Sequence, residues 1–214
     1  MKGILTTRGR DLLERYYTPM NVVGHHLTHL EQYDLEPKHG DIVCDPFAGD
    51  GRYVRRAMEL FGCEGYGGDL APTAKDIPKQ PWERTLTHLF EEDRDTYIIT
   101  NPAFTEGAKM LQRWVVEAEK RDRLSVLSML VPVSFLEATA KRRHLFRDAP
   151  PSIVALVGRI QFEGPAIEAR IDAGLRVGKA AMQYAYCTWA LSDGLLLSGS
   201  MLLWDLAPKT GQSK

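Results

Sequence analysis

The sequence contains no apolar run of about 18 residues, the length that a bilayer-spanning helix needs, so we expect no membrane contact. Residues 1–8 lack the apolar core of a secretion signal, which favours a cytoplasmic location. Cysteine is scarce, with only Cys44, Cys63 and Cys187. The odd number argues against a disulfide framework, and the spacing is unlike that of a metal site. We therefore predict no metal ion, and buried thiols at Cys44 and Cys187, which lie in apolar runs.

The chain also lacks an excess of charge of either sign. Its 27 Lys and Arg residues nearly balance 28 Asp and Glu residues, which leaves a formal net charge of -1. Such a protein has no overall attraction to nucleic acid, so any contact with DNA or RNA must come from a local patch. We find no internal repeat and no insertion large enough for a separate target-recognition domain. Residues 1–214 are therefore predicted to form a single domain.

The stretch Asp41–Gly51 has the pattern of a strand followed by a tight turn. Ile42–Cys44 is a short apolar run with β-branched residues, which favours a buried strand ending at Asp45. A helix is predicted over Arg52–Phe61, where apolar residues recur at helical spacing. Strand, glycine-containing turn and helix build small-molecule sites at the carboxyl edge of open α/β sheets. The candidate ligand residues here are Asp45, Pro46, Phe47, Ala48, Gly49, Asp50 and Gly51.

This turn has two other interpretations. Asp, Gly and Pro are common turn residues, so residues 46–51 could form a plain surface turn. They could also form a nucleotide-binding turn, although the spacing is not G-x-G-x-x-G and G-K-[ST] is missing.

A second apolar run, Tyr97–Thr100, ends abruptly in Asn101-Pro102-Ala103-Phe104. With DPFAGDG at positions 45–51, this NPAF sequence resembles the S-adenosylmethionine-dependent amino-methyltransferases, whose hallmark motifs are DPFxGxG and (D/N)PP(Y/F). The resemblance is greatest to the DNA adenine-N6 methyltransferases, including small phage-type members, and extends over residues 14–206. The chain departs from the family pattern at Ala103, where a second proline is usual.

The resemblance implies an α/β fold, a Rossmann-like seven-stranded class I methyltransferase sheet. This sheet is mostly parallel, has an antiparallel last strand and carries helices on both faces. Its third strand is expected near Trp82–Leu89, with an acidic residue for the cofactor adenine amine; Glu83 and Asp93 are the weak candidates. The implied cofactor is S-adenosylmethionine, held by residues 45–51 together with Tyr17, Thr18, Asp69 and Leu70.

Two of these cofactor regions can also be interpreted from the residues themselves. Asp69 is predicted to end the second strand, where a carboxylate can accept both hydroxyls of a ribose, and Leu70 would pack on adenine. A turn or helix-capping role for Asp69 is the alternative. Tyr17 and Thr18 match the aromatic-x-Thr-Pro element that lines the cofactor pocket in the related enzymes. Thr18 could instead simply cap a helix that begins at Pro19 and runs to about Tyr33.

The catalytic residues implied by the second motif are Asn101, Pro102, Ala103 and Phe104. The side-chain oxygen of Asn101 and the carbonyl of Pro102 can both accept hydrogen bonds from a planar amine, which would direct its lone pair at the methyl donor. Phe104 can stack on the target ring. The alternative is that Asn-Pro only caps the next helix.

Six basic residues are candidate nucleic-acid contacts. Three lie in the most basic run of the chain, Lys141–Arg147, which begins about ten residues beyond a predicted strand end and could equally be a solvated helix face. Three lie in the connection 163–183, between strands predicted at Ile153–Phe162 and Tyr184–Leu191. We predict that this connection closes over the substrate, the alternative being a hairpin tip. The candidates are Arg142, Arg143, Arg147, Arg170, Arg176 and Lys179.

The function that the resemblance implies is methylation of adenine N6 in DNA. The same chemistry on an RNA base amine or on a protein glutamine amide remains an alternative. A third hypothesis is a non-catalytic protein that binds the cofactor or a partner through a decayed methyltransferase fold. Ala103 and the missing third-strand acid support this third hypothesis.

Overall fold

The computed structural model describes residues 16–137, 140–192, 195–196 and 201–203. Its helices are α1 Met20–Glu31, α2 Arg52–Phe61, α3 Trp82–Phe90, α4 Gly107–Ala118, α5 Ala140–Asp148 and α6 Pro165–Asp172, with a 3-10 turn at Val133–Leu136. Its strands are β1 Ile42–Asp45, β2 Glu64–Gly67, β3 Thr96–Thr100, β4 Ser125–Pro132, β5 Ile153–Gly158, β6 Tyr184–Ser192, β7 Leu195–Leu196 and β8 Met201–Leu203. Within these ranges no helix is long and apolar enough to cross a membrane.

The strands form one sheet in the order β2-β1-β3-β4-β6-β5-β8, with β7 paired to β6. Strands β2, β1, β3 and β4 run parallel to their neighbours, and β6 is antiparallel to both β4 and β5. The antiparallel orientation predicted for β6 is therefore confirmed. Because two antiparallel steps separate β5 from β4, the carboxyl end of β5 lies at the same edge as those of β1, β3 and β4.

The predicted strand at Trp82–Leu89 is wrong, and so is the count of seven strands. This segment is helix α3, whose buried residues include Trp82, Leu86 and Leu89 at helical spacing. In the described part of the chain the sheet has six strands of at least four residues, together with the short strands β7 and β8.

The sheet is covered by helices on both faces, as predicted. Alternate residues of the central strands point to opposite sides, so each face has its own apolar core. On one face, Val43 and Ile99 pack with residues of α1 and α2. On the other, Cys44 and Ile98 pack with residues of α3 and α4, including the fully buried Trp114.

Helix α1 buries one side, which includes Val22, Val23, His26, Leu27 and Leu30. The predicted capping role of Thr18 is wrong, because Pro19 occupies the N-cap position and no side chain caps the helix. The three cysteines are buried.

A buried polar network connects α1 to the sheet through His26. Its Nδ1 lies 3.1 Å from the hydroxyl of Tyr53, and its Nε2 lies 2.7 Å from the hydroxyl of Ser128. The Tyr186 ring stacks on the imidazole, with ring centroids 4.0 Å apart. Burial, followed by the charges of His29 and His25, holds the pKa of His26 well below its usual value. The folded protein therefore keeps this imidazole neutral.

We expect the free energy of unfolding to depend on pH through His26. In the unfolded chain its pKa is about 6.5, so below that pH the unfolded state binds a proton at His26 that the folded state does not bind. The stabilisation is complete above pH ~6.5 and decreases below it by up to about 1.4 kcal/mol per pH unit, until the lower folded pKa is reached. Urea denaturation of the wild type and His26→Gln between pH 5 and 8 measures this contribution.

The contribution of His26 is the difference in unfolding free energy between the wild type and His26→Gln at each pH, because other groups titrate in the same range. A matched control is His39→Gln, which removes an exposed histidine. If His26→Gln has the same pH slope as the wild type, the neutral buried imidazole is excluded.

Candidate active site

The carboxyl tips of β1 and β3 are tied together by Asp45. The residue is 2% exposed, and its Oδ1 accepts hydrogen bonds from the Thr100 hydroxyl at 2.6 Å and from the Phe47 N–H at 3.0 Å. Burial raises the pKa of Asp45 to about 7, although both hydrogen bonds oppose that increase. The carboxyl group therefore fixes the positions of the two motif turns relative to each other.

The turn after β1 requires glycine at two positions. Gly49 has φ 54° and lies against Tyr17, so that an added Cβ would approach the Tyr17 ring to 2.8 Å. Gly51 has φ 80° and occupies the N-cap of α2. Both conformations are left-handed, which only glycine adopts at little cost. The glycines thus allow the turn to lie directly beneath an aromatic ring.

The carboxylate of Asp69 organises the next strand tip. Its Oδ2 accepts a hydrogen bond from the Gly49 N–H at 2.9 Å, and its Oδ1 accepts one from the Ala71 N–H at 2.7 Å. The first bond joins the glycine turn to the end of β2. Leu70, the next residue, is 65% exposed.

A first cavity of about 650 Å³ opens between these turns. Its walls include eight residues that the sequence had singled out: Tyr17, Pro46, Phe47, Gly49, Asp69, Leu70, Asn101 and Ala103. The helix that replaces the expected third strand contributes Trp82 and Glu83, and the start of α4 contributes Thr105 and Glu106. The Trp82 Nε1–H donates a hydrogen bond to Glu106 at 3.2 Å, which fixes this side of the cavity.

A second cavity of about 490 Å³ lies beside the first. The four residues Asn101–Phe104 form part of its wall, and Phe104 is 53% exposed. Three basic residues from the connection after β5, Arg170, Arg176 and Lys179, line it as well. Three aromatic residues, Tyr16, Phe162 and Tyr184, complete a largely apolar interior.

The two cavities share Tyr16, Asn101 and Ala103. The Asn101 carboxamide makes no hydrogen bond to another described residue, so its oxygen can accept a hydrogen bond from a ligand. Asn101 and Gly49 line the same cavity, because β1 and β3 are parallel neighbours whose carboxyl ends meet at one edge. The two motifs therefore converge.

Five of the predicted cofactor-binding residues line neither cavity: Thr18, Asp45, Ala48, Asp50 and Gly51. Asp50 instead forms an ion pair with Arg52 at 2.7 Å. Of the basic run, Arg143 is exposed on α5 and Arg147 is paired with Asp148 at 2.7 Å. Arg142 also belongs to α5, and its side chain lies outside the described part. Among the described residues no cluster of His, Cys, Asp or Glu could hold a metal ion.

Sequence reasoning did not single out Arg52, the first residue of α2. Its guanidinium contacts Asp50, the carbonyl of Thr18 and the carboxylate of Glu163, the last of these at 2.9 Å. Glu163 lies 111 residues away along the chain, so no local sequence pattern predicts this ion pair.

Comparison with known proteins supports the fold. The sequence matches no protein-family model and no curated protein. A protein of Pyrococcus horikoshii proposed to be an RNA methyltransferase shares 16% identity and a TM-score of 0.50, over 83% of this chain and 87% of that one. The human methyltransferase 10 domain containing protein shares 13% identity and a TM-score of 0.48, over 82% of each chain. The match to the P. horikoshii protein shows that the architecture described above is the α/β Rossmann-like methyltransferase fold.

Proposed function

We propose that the protein transfers a methyl group from S-adenosylmethionine to an exocyclic amine, with adenine N6 in DNA as the favoured acceptor. The observation that carries the proposal is the position of Asn101 on the shared wall of two adjoining cavities. One cavity would hold the methyl donor and the other the acceptor. The resemblance of DPFAGDG and NPAF to the amino-methyltransferase motifs supports this assignment.

The first cavity has the residues that the donor requires. Asp69 stands at a strand end, where its carboxylate can accept hydroxyl protons of a ribose in addition to the two backbone N–H groups. Leu70 and Trp82 offer apolar surface for an adenine ring, and Tyr17 and Phe47 lie on the wall of the same cavity. When bound, the cofactor supplies an electrophilic methyl group on a sulfonium.

Glu83 and Asp93 are the two candidates for the acid that binds the cofactor adenine amine, and only Glu83 lines the first cavity. Glu83 lies in the first turn of α3. The adenine amine would therefore meet an acid provided by a helix instead of by a third strand.

The second cavity suits a nucleotide, which combines a flat base with a phosphate group. Phe104 and the aromatic side chains of Tyr16, Phe162 and Tyr184 can stack on a base, and enzymes that modify bases take their target out of the stack into such a pocket. Arg170, Arg176 and Lys179 place positive charge on the same wall, where it can meet phosphate groups. This local charge would compensate for a net charge of -1.

Asn101 and Pro102 would act by positioning. An exocyclic amine is a weak nucleophile, because its lone pair is delocalised into the ring. Hydrogen bonds from the amine to the Asn101 oxygen and to the Pro102 carbonyl would draw the nitrogen toward tetrahedral geometry and stabilise the charge that develops on it. A neutral side chain suffices, since no strong base is needed.

The test is methyl transfer from labelled cofactor to unmethylated DNA, bulk RNA and a protein extract. We expect the label in DNA, recovered as N6-methyladenine. RNA is the second candidate acceptor, since the P. horikoshii protein with this fold is a proposed RNA methyltransferase. If the label appears only in RNA, or only in glutamine side chains, then that molecule and not adenine in DNA is the acceptor. Cofactor binding without transfer to any pool would exclude the enzyme and favour a binding protein.

A further inference from the structure

Arg52 joins three separate parts of the chain around the first cavity. Its side chain is 15% exposed and forms ion pairs with Asp50 at 2.7 Å and with Glu163 at 2.9 Å. It also donates a hydrogen bond to the carbonyl of Thr18. One guanidinium therefore contacts the glycine turn, the segment before α1 and the connection after β5.

The backbone reinforces the same junction. The Tyr17 N–H donates a hydrogen bond to the Glu163 carbonyl at 2.9 Å, and the Glu163 N–H donates one to the Tyr17 carbonyl at 3.0 Å. The ring of Tyr17 lies against Gly49, its hydroxyl is 2.8 Å from that of Thr73, and the Arg52 guanidinium lies 5.2 Å from the ring centroid. Tyr17 is thus both a wall of the first cavity and the anchor of Glu163.

Glu163 is followed directly by the segment that walls the second cavity. Gly164 has φ 96°, a conformation that favours glycine, and α6 begins at the next residue. Residues farther along, including Ile167, Arg170 and Arg176, line the second cavity. A change in the position of Glu163 is therefore transmitted to that wall.

We propose that Arg52 is a positioning residue whose ion pair with Glu163 couples filling of the first cavity to placement of the segment 163–183 over the second. This inference rests on the proposed function, because it takes the methyl donor as the molecule in the first cavity. A bound donor restricts the Tyr17 ring and the glycine turn, and these are the parts that hold the Arg52 guanidinium. A fixed guanidinium then holds the half-exposed carboxylate of Glu163, in addition to the backbone pairing of this residue with Tyr17. The acceptor site is thereby completed after the donor has bound.

Limited trypsin digestion measures this coupling without requiring turnover. Arg170, Arg176 and Lys179 are exposed cleavage sites within the segment. We expect S-adenosylmethionine or sinefungin to slow cleavage at these sites by roughly tenfold in the wild type, as a shift toward the closed population would. Mass spectrometry of the fragments identifies the sites, and calorimetric titration gives the dissociation constant of the cofactor.

Glu163→Gln removes the ion pair and keeps the size of the side chain. It should abolish the cofactor-dependent protection and, because the coupling is reciprocal, weaken cofactor binding by about tenfold as well. Glu163→Ala, which also removes the acceptor oxygen that glutamine keeps, should lose the protection as well. The matched control is Glu168→Gln on α6, an exposed acid of the same segment, which should retain the full protection.

The outcomes separate the two proposals. If the cofactor binds and protects Glu163→Gln as well as the wild type, the coupling is overturned and the methyltransferase assignment stands. If the wild type binds no cofactor, the proposed function fails and the coupling fails with it.

Discussion

Replacing Asn101 with alanine is expected to decrease the rate of methyl transfer by about 10²–10³-fold, the loss typical of removing one group that stabilises developing charge. The alanine variant cannot accept a hydrogen bond from the acceptor amine, so the nitrogen would stay planar and its lone pair delocalised. Cofactor affinity should be almost unchanged, because the residues proposed to hold the donor, including Asp69 and Leu70, remain in place. The rate is measured with labelled cofactor at saturation, and the affinity by calorimetric titration.

Two further variants sharpen this experiment. Asn101→Asp keeps an acceptor oxygen of similar size and should retain more activity than the alanine variant. Asn21→Ala, an exposed asparagine on α1 that lines neither cavity, is the matched control and should behave as the wild type does. An equal loss of cofactor binding and of transfer in Asn101→Ala would contradict the assigned role, and so would an unchanged rate.

The convergence of the two motifs could be predicted because each motif is local and the rule that joins them is general. Asp45 and Asn101 both come at the end of a short apolar run, and parallel strands place such ends at one edge of a sheet. The sequence does not tell which way a strand-end carboxylate points. The first cavity was predicted to include Asp45, whereas that side chain is turned toward Thr100, 55 residues along the chain.

The segment Trp82–Phe90 shows why a short apolar run is ambiguous. Leu86 lies between two threonines, a pattern that a half-buried strand could also have. Two signals at its start favoured a helix, namely Pro81 at the N-cap and Glu83 in the first turn. The pattern inside the segment therefore does not distinguish a strand from a helix, whereas the residues at its start do.

Side-chain contacts between distant loops could not be predicted. The ion pair between Arg52 and Glu163 depends on how three loops meet at the sheet edge, and an arginine after a glycine turn is unremarkable in sequence. The connection 163–183 leaves the sheet at the edge of the two motif turns, because β5 is parallel to β4 across two antiparallel steps. Its helix α6 was not predicted, and its closure over a substrate stays a prediction.

Replacing Asp69 with alanine is expected to weaken cofactor binding by about 10- to 100-fold, which corresponds to the loss of hydrogen bonds to a charged group. The carboxylate has two functions in the proposed complex. It would accept the ribose hydroxyls, and it already holds the Gly49 N–H at 2.9 Å and the Ala71 N–H at 2.7 Å, which shapes two walls of the first cavity before any ligand arrives. Calorimetric titration with sinefungin measures the affinity without turnover.

The comparison with Asp69→Asn separates these two functions. Asparagine keeps one acceptor oxygen, which can bind one backbone N–H, but its amide nitrogen cannot accept a hydrogen bond from a ribose hydroxyl. The affinity of Asp69→Asn for the cofactor should therefore fall between those of Asp69→Ala and the wild type. Asp93→Ala is the control, since that side chain is 91% exposed, pairs with Arg123 and lines neither cavity. Wild-type affinity in Asp69→Ala would mean that the donor does not occupy the first cavity in the proposed orientation, and the assignment of Leu70 and Glu83 to its adenine ring would then also be wrong.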